Sequence, residues 1–595
     1  MMKVDFSRVT GSFKPMNGVS PAPPSPPKPD LRQLLREFDR TFTEVCAAIP
    51  QPNSFDIVGT EKSPWKVLVN EKGSATIESQ YVPPDRKADV IEDLRRTLLT
   101  LFDPEKAGYG AFVKPLSHTC VEGWLPVSRV RFATTRFPEV ELRVFVDEAD
   151  VLQTCVKTPG ERHFFTVPLP ELLPPGELLR LPDPAPAAAD GRDFAEGLKR
   201  LTEYWSKKFA SLLAWDFPHS FLKKGILAAL VKSLITQYGG ALRYGATRYY
   251  CDEGKSAESF PPTVLTFCEA ALFYGLEEDA CRFLGRFIRD FVSEDGAILH
   301  RNNGAALSEH GMLLALFSRC RRQLDAPAFF AEHGPAVEAV ARRLFQLTEK
   351  AGKKLVAGCP EDDLRNAPAR QWFSANLWIA RGLLEYARTF PGVLPEEKIT
   401  AFAAKVVKSC RESAVPCGGG LVFIPPFPEL RVPFADMNDF LEVAPGDDIH
   451  SLASYTNYRI YPEMLSSTLL PAETVRQIAA FRRARGGDFR GATAFRIFRD
   501  FPPLARCLDD WPLHNMLKGL VHCGEYGEFT RLLAGHMALH QSRGTFFAPE
   551  MSFRDRLDST FCTPSQMTLP LAVRYLFDGL PSITRTKTFQ GEDRI

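Results

Sequence analysis

The spacing of hydrophobic side chains divides the chain into three parts. Leu and Phe recur at helical spacing over residues 31–48. Between about 54 and 170, runs such as 130–133 and 140–146 are rich in β-branched and aromatic residues and begin with alternating apolar and polar side chains. That alternation is typical of half-buried strands. From about residue 192 the helical period returns, so the sequence predicts a smaller β-rich, sandwich-like domain followed by a mainly α domain.

About a dozen helices are predicted in the α domain, from about residue 192 onward. They are expected near 192–213, 219–238, 262–275, 278–293, 306–323, 327–350, 371–390, 395–413, 472–484, 511–523, 526–540 and 565–578, with a short one starting at Pro462. Short connections such as Leu276-Glu277 and Gly524-Glu525 force the helices that they join to lie antiparallel. Repeated α-hairpins of this length suit a closed (α/α) ring. An open solenoid is the alternative, but no fixed short repeat period is visible.

Proline-rich stretches and the change of period set the expected domain boundaries. Proline favours an extended path, and the first residues end in the run PAPPSPPKP. Residues 171–190 are rich in Pro and Ala and are interpreted as a linker, and one helix is expected near 88–102. We expect a Pro-rich arm at 1–30, a β-rich domain with its linker at 31–190, an (α/α)6 toroid at 191–580 and a tail at 581–595.

The composition argues against several classes of function. The 73 basic and 72 acidic residues nearly cancel, which is unlike the one-sided charge of a nucleic-acid-binding domain. No apolar stretch is long enough to span a bilayer, and the N-terminus lacks the apolar core of a secretory signal. The 13 cysteines include no Cys-x-x-Cys pair, which argues against a zinc knuckle or a disulfide framework. We expect a cytoplasmic protein without nucleic-acid or membrane partners, and the sequence leaves its oligomeric state open.

Motifs for cofactors and for several common catalytic machineries are missing. The sequence contains no phosphate loop, no Gly-x-Ser-x-Gly elbow, no His-Glu-x-x-His and no dinucleotide fingerprint. The three glycines at 418–420 precede a strand-like run and therefore predict a hairpin rather than a phosphate cradle. No cofactor and no metal is expected.

Three long segments, roughly 414–460, 485–510 and 541–564, resist a helical interpretation and are rich in aromatic, arginine and carboxylate side chains. Loops of this length inside a compact domain are usually functional or mobile. In a helical ring, loops at one end line the mouth of the central cavity, so the site is predicted there.

Four carboxylates in or beside these segments are the candidate catalytic residues. Glu550 follows an aromatic strand-like run, and no helix cap or helix pair explains it. Asp509 and Asp510 precede Trp511, and a helix cap accounts for Asp510 only. Glu463 follows Pro462 at an expected helix start, behind a dense group of Tyr and Asn.

Aromatic faces stack on sugar rings, and Arg, His and amide groups bind hydroxyls, which selects a further set of residues near the carboxylates. The candidate substrate-binding residues are Arg243, Tyr244, Arg248, Tyr249, Glu309, His310, Trp372, Tyr455, Asn457, Tyr458, Arg490, Trp511, His514, Arg543 and Phe546.

Five stretches together resemble the helical domain of six-hairpin glycosidases. They are 242–262 (LRYGATRYYCDEGKSAESFPP), 275–298, 453–464 (ASYTNYRIYPEM), 509–524 (DDWPLHNMLKGLVHCG) and 541–566. The resemblance covers roughly residues 215–580. It implies an (α/α)6 toroid, often preceded by a β-sandwich, and hydrolysis of a glycosidic bond of a carbohydrate substrate, commonly with inversion. The four catalytic assignments rest on the local arguments above.

Other functions remain open for the same ring. Toroidal polysaccharide lyases and sugar epimerases work with Tyr, His and Arg, and candidates for these roles are Tyr244, Tyr455, His310, His514 and Arg543. A sugar phosphorylase would need a phosphate pocket, for which Arg490 or Arg543 could serve. A non-catalytic glycan-binding protein is the alternative outside enzymes, and it predicts replaced or widely separated acids.

Overall fold

A computed structural model describes residues 30–51, 53–63, 65–77, 100–170, 185–186, 191–237, 240–245, 259–300, 304–361, 369–437, 451–495 and 507–580. The first element is the helix Leu31–Ala48, whose N-terminus is capped by the carboxylate of Asp30. This helix packs against a helix of the C-terminal part, Tyr526–Leu539.

The described residues of the β-rich part form ten strands in two antiparallel sheets. The strands are β1 Phe55–Val58, β2 Val67–Asn70, β3 Ala75–Ile77, β4 Thr100–Phe102, β5 Phe112–Cys120, β6 Ser128–Thr134, β7 Val140–Val146, β8 Val151–Thr158, β9 Glu161–Pro168 and β10 Ala185–Pro186. The order is β1-β2-β3-β4 in one sheet and β10-β9-β8-β7-β6-β5 in the other. Apolar side chains from both sheets share one core, which confirms the sandwich-like prediction.

Alternation along the strands explains how the sandwich is packed. In β7, Val140, Leu142 and Val144 are buried in the core between the sheets. Phe145 points the other way and contacts Phe194 of the helix Arg192–Lys208, which covers the second face of the larger sheet. The predicted helix near 88–102 lies mostly outside the described residues, and its last three residues form β4.

Six inner helices form a closed ring, because each packs against the next and the last packs against the first. They are Pro261–Phe273, Leu307–Gln323, Phe373–Thr389, the continuous helical segment Leu452–Tyr455, Thr456–Ile460 and Tyr461–Ser466, then Leu513–His522 and Thr568–Gly579. The closed circuit confirms the predicted (α/α)6 toroid over an open solenoid.

Each inner helix follows an outer helix in the chain. The outer helices are Ser220–Ile235, Glu277–Phe291, Pro327–Ala351, Glu396–Glu412, Ala472–Ala484 and Tyr526–Leu539. The inner helix Pro261–Phe273 is apolar on nearly every face and almost wholly buried. By contrast, the outer helix Glu277–Phe291 buries one stripe and exposes charged residues, as expected for the rim of a ring.

Two glycines allow two inner helices to approach closely. A Cβ atom on Gly311 would overlap the carbonyl oxygen of Trp378, and one on Gly382 would overlap the carbonyl oxygen of Gly311. These helices, Leu307–Gln323 and Phe373–Thr389, form the most extensive helix contact of the described ring. The small side chains therefore set the spacing on this side of the ring.

The two ends of the ring differ in the length of their connections. At one end, inner helices pass to outer helices through the short segments 274–276, 324–326, 390–395, 467–471 and 523–525. At the other end, outer helices pass to inner helices through the longer segments 236–260, 292–306, 352–372, 413–451, 485–512 and 540–562. The N-termini of the inner helices lie at this second end, which we call the long-loop end.

Most predicted helix bounds agree with the structure to within two or three residues. The hairpin predicted after the glycines at 418–420 is present, with strands β11 Val415–Cys417 and β12 Leu421–Phe423. A second small sheet joins β13 Asp488–Phe489, β14 Ala492–Phe495 and β15 Cys507–Leu508. The short helix expected from Pro462 is present as Tyr461–Ser466, and the helical segments Leu452–Tyr455 and Thr456–Ile460, which were not predicted, lead directly into it.

The sandwich is joined to the ring by buried polar contacts. Lys232 of an outer helix pairs with Asp56 of β1, and both side chains are buried. The thiol of Cys120 lies beside the same pair. The amide of Cys120 also donates to the carbonyl of Gly544 in the ring. None of the described helices is both long and apolar enough to cross a membrane.

Candidate active site

Arg459 is the centre of a buried charge cluster inside the ring, toward the long-loop end. Its guanidinium lies 3.0 Å from Glu309, 3.4 Å from Glu361 and 2.6 Å from Glu463. The arginine and Glu309 are fully buried. Burial opposes the positive charge, but the surrounding carboxylates outweigh it and raise the pKa of Arg459 well above its usual value. One permanent cation thus holds three carboxyl groups together.

The carboxyl groups around Arg459 are not equivalent. Tyr455 donates a hydrogen bond to Glu361, so this carboxylate is held by a hydroxyl and by the guanidinium. Burial is the main cause that raises the pKa of Glu463 to about 7, and Glu361 adds to it, although Arg459 and Ser308 act in the opposite direction. Glu463 is therefore close to half-protonated at neutral pH.

Aromatic rings form a wall beside this cluster. Trp511 contacts Phe260 and Tyr458 edge-on, at 6.0 and 5.8 Å between ring centroids, and its indole N–H donates to the Tyr458 hydroxyl. Tyr244 also meets Phe260 edge-on, at 5.7 Å. The Arg459 guanidinium lies 4.9 Å from the Trp511 ring. These rings come from the starts of different inner helices and from connections at the long-loop end.

Two further carboxyl groups lie beside the wall. Asp509 is buried, 3% exposed, and directly precedes the start of an inner helix. Burial is the main cause that raises its pKa well above the usual value, and the charge of Glu550 is the second. Glu550 is half-buried in the 540–562 connection, where the Tyr244 hydroxyl donates to its Oε1 at 3.1 Å. A neutral acid and a hydrogen-bonded carboxylate therefore act on each other in this region.

Asp510 has a different role from its neighbour in the sequence. Its carboxylate accepts a hydrogen bond from the backbone of Thr493 at 2.7 Å and contacts His536 Nδ1 at 3.2 Å. Burial opposes ionisation, but the hydrogen bond and charge of His536 outweigh it and lower the pKa of Asp510. Asp510 thus ties the small β13–β15 sheet to an outer helix.

Eight of the predicted site residues lie in the carboxylate cluster or in its aromatic wall. They are Glu463, Asp509, Glu550, Tyr244, Glu309, Tyr455, Tyr458 and Trp511. Arg248 and Tyr249 lie outside the described residues. Arg243 is buried beside Tyr244, where its carbonyl accepts a hydrogen bond from Thr563.

Several other predicted residues are engaged in structural contacts. His310 accepts a hydrogen bond from the amide of Ile298, and Asn457 donates to two backbone carbonyls of the neighbouring hairpin. Trp372 packs edge-on against Phe427.

The remaining predicted residues lie away from the cluster. Arg490 is exposed with a positive φ in the β13–β14 turn. Arg543 donates to the carbonyls of Ile49 and Ala538, near the N-terminal helix. Phe546 packs against Phe221 of an outer helix. His514 lines a cavity inside the ring, which is described below. Neither Arg490 nor Arg543 therefore forms a phosphate pocket beside the described carboxylates.

Sequence reasoning missed Glu361 and did not select Arg459 as a site residue. Glu361 lies in the 352–372 connection, which is one of the six segments at the long-loop end. Its position between an outer and an inner helix is the signal that could have found it. Arg459 was not selected because residues 414–460 were expected to be a loop and not part of an inner helix.

No protein family and no curated protein matches this chain. Among solved structures, the chain is similar to a bacterial glucoamylase complexed with acarbose, with 10% identity, 89% of this chain and 86% of that chain covered, and a TM-score of 0.47. A wild-type glycosidase is 14% identical over 62% of this chain and 98% of its own, with a TM-score of 0.37. A D-mannose isomerase is 10% identical over 53% of this chain and 86% of its own, with a TM-score of 0.37. The assignment of the ring rests on the packing of this chain's own helices.

Proposed function

We infer that this protein is a glycoside hydrolase that cleaves a bond of an oligo- or polysaccharide, with Asp509 as general acid and Glu550 as general base. The observation that carries the proposal is the buried Asp509 carboxyl, whose pKa is raised by burial and by Glu550, beside an aromatic wall. Glycosidases use one protonated and one ionised carboxyl group on either side of the scissile bond.

The chemistry of each group follows from its surroundings. Asp509 keeps its proton because a buried carboxylate is poorly solvated and a second negative charge is near. That proton is available for the leaving oxygen of the glycosidic bond. A hydrogen bond from Tyr244 favours the carboxylate form of Glu550, which can accept a proton from the attacking water. Attack by water opposite the leaving group inverts the anomeric carbon.

The aromatic wall and Arg459 supply binding and positioning. Trp511 and Phe260 make this side of the region apolar and aromatic, which suits a sugar ring. Arg459 holds Glu309 and Glu361 in fixed positions, where their oxygens can accept hydrogen bonds from sugar hydroxyls. We propose that these carboxylates orient the substrate and take no part in proton transfer.

A leaving-group series tests the two catalytic roles separately. The purified protein is assayed on oligosaccharides and on aryl glycosides with leaving groups of decreasing pKa, with the variants Asp509→Asn and Glu550→Gln. We expect Asp509→Asn to lose about a thousandfold or more on oligosaccharides and far less on the most activated aryl glycosides, which need no acid. Glu550→Gln should lose similar activity on every substrate.

Two controls make the result specific. Asp555→Asn changes an exposed carboxylate in the same connection as Glu550 and should keep full activity. Glu361→Gln tests whether Glu361, which is also buried, acts as the general acid. If that variant shows the leaving-group dependence instead of Asp509→Asn, the acid is Glu361. A native protein that cleaves no glycoside overturns the proposed function.

A further inference from the structure

A cavity lies inside the ring and extends from the Arg459 cluster along the inner helices. It encloses about 470 Å³, within the range of about 300–1,000 Å³ that small-molecule sites occupy. Its walls are formed by residues of five inner helices and include Leu265, Met312 and Trp378. Glu463 and Trp511 of the candidate active site also line this cavity, which we call the lower chamber.

Positive charge exceeds negative charge around the lower chamber. Glu269 is surrounded by three cations, with Arg319 at 3.3 Å, Lys518 at 3.7 Å and Arg574 in direct contact. These cations outweigh the effect of burial and hold the pKa of Glu269 below its usual value. Arg574 also pairs with Asp578 at 3.3 Å, whereas Arg319 and Lys518 both lie beside Glu269.

The same imbalance recurs on the neighbouring helix. Glu385 is held between two arginines, with Arg381 at 2.6 Å and Arg322 at 2.8 Å. The cations that line the chamber are Arg319, Arg322, Arg381 and Lys518, and the carboxylates that line it are Glu269, Glu385 and Glu463, of which Glu463 is bound by Arg459. The C-terminal ends of helices attract cations in their last turn, which accounts for some of these residues near the mouth. It does not account for a polar group deeper inside.

That deeper group is His514. Its ring lines the chamber and is 2% exposed, and neither ring nitrogen has a hydrogen-bond partner among the described residues. Burial is the main cause that lowers its pKa to about 3, so the ring is neutral at physiological pH. A buried polar group without a partner is costly unless a ligand or water satisfies it. A neutral imidazole can donate one N–H to an oxyanion.

We propose that the lower chamber binds a small molecule that carries a phosphate group. A phosphate group carries a charge of about −1.5 to −2 at neutral pH, which balances the cationic excess better than a single carboxylate would. Arginine forks match the oxygen geometry of phosphate, and Arg319, Arg322 and Arg381 all line the chamber. This binding site goes beyond the proposed hydrolysis and does not depend on it.

Isothermal titration calorimetry with inorganic phosphate, glucose 6-phosphate and glucose tests the proposal at constant ionic strength set by chloride. The variant Arg319→Gln/Arg381→Gln leaves one or more cations on each of Glu269 and Glu385, so its fold should survive. We expect both phosphates to bind the native protein and glucose not to bind there. The double variant should lose about tenfold or more in phosphate affinity.

Arg342→Gln is the matched control, because Arg342 is an exposed, ion-paired arginine on an outer helix. It should bind phosphate like the native protein. Stronger binding of glucose 6-phosphate than of inorganic phosphate identifies an ester as the ligand, and the reverse identifies free phosphate. Equal phosphate affinity in the native protein and the double variant, with circular dichroism showing both folded, overturns the proposal, as does a native protein that binds neither phosphate. If the double variant is unfolded, Arg322→Gln, at a half-exposed position, takes its place with the same expected loss.

Discussion

Glu463 offers the sharpest test of the electrostatics at the centre of the ring. Its side chain is buried, and burial together with the charge of Glu361 raises its pKa to about 7 from a usual value of 4.5. The folded chain therefore keeps this proton at pH values where the unfolded chain has already released it. The variant Glu463→Gln keeps the shape of the side chain and removes the titration.

The size of the effect follows from the shift in pKa. The difference between 4.5 and about 7 is worth about 3 kcal/mol, at about 1.36 kcal/mol for each pKa unit. Because the folded pKa is raised, this stability is fully present below the unfolded pKa and is lost as the pH rises through the folded pKa. The free energy of unfolding of the native protein, relative to Glu463→Gln, should fall by about 3 kcal/mol between about pH 4.5 and about pH 8.

Urea unfolding followed by tryptophan fluorescence, at several pH values across this range, measures the effect. Glu203→Gln is the matched control, because Glu203 is exposed on the helix Arg192–Lys208. The control should differ from the native protein by a constant amount at every pH. A difference between native and Glu463→Gln that stays constant, or that grows in favour of the native protein at high pH, contradicts the reasoning.

Two further predictions concern stability away from the site. Lys232→Met should lower the free energy of unfolding by about 3–5 kcal/mol, because it leaves the Asp56 charge buried without its cation, and adding Asp56→Asn should restore part of the loss in thermal unfolding. Gly311→Ala should cost about 1–3 kcal/mol or more through overlap with the facing helix. Gly334→Ala, in open space on an outer helix, should stabilise by about 0.5–1 kcal/mol, and equal thermal midpoints for the two variants would exclude this account.

Outer helices such as Glu277–Phe291 could be predicted from the sequence because they show one apolar stripe. The predicted 472–484 has the observed bounds, and 526–540 is one residue too long. The inner helix that contains Arg459 could not be predicted in the same way. It is buried on every side, contains four tyrosine and asparagine residues within 455–461, and changes its hydrogen-bonding period at Thr456–Ile460. A single period therefore never appears in its sequence.

Candidate site residues were predicted where unusual residues cluster along the chain, as around Asp509 and Glu550. Glu361 has no aromatic residues close to it in the sequence. It joins the site because the ring brings the 352–372 connection next to the helix of Arg459. Phe546 and Arg543 fit the local pattern as well as Glu550 does. Their side chains turn toward other elements for reasons of packing, which no local pattern contains.

The direction of the inner helices explains why the two compartments of the ring differ in charge. Their N-termini meet at the long-loop end, where helix dipoles favour negative groups, and Glu309 lies in such a first turn. Their C-termini meet at the other end, where the dipoles favour cations such as Arg322. Arg459 lies between these regions and binds carboxylates from both sides of the divide, including Glu463, which lines the lower chamber. A single arginine thus binds carboxylates at the boundary between the acidic and the cationic regions of the ring.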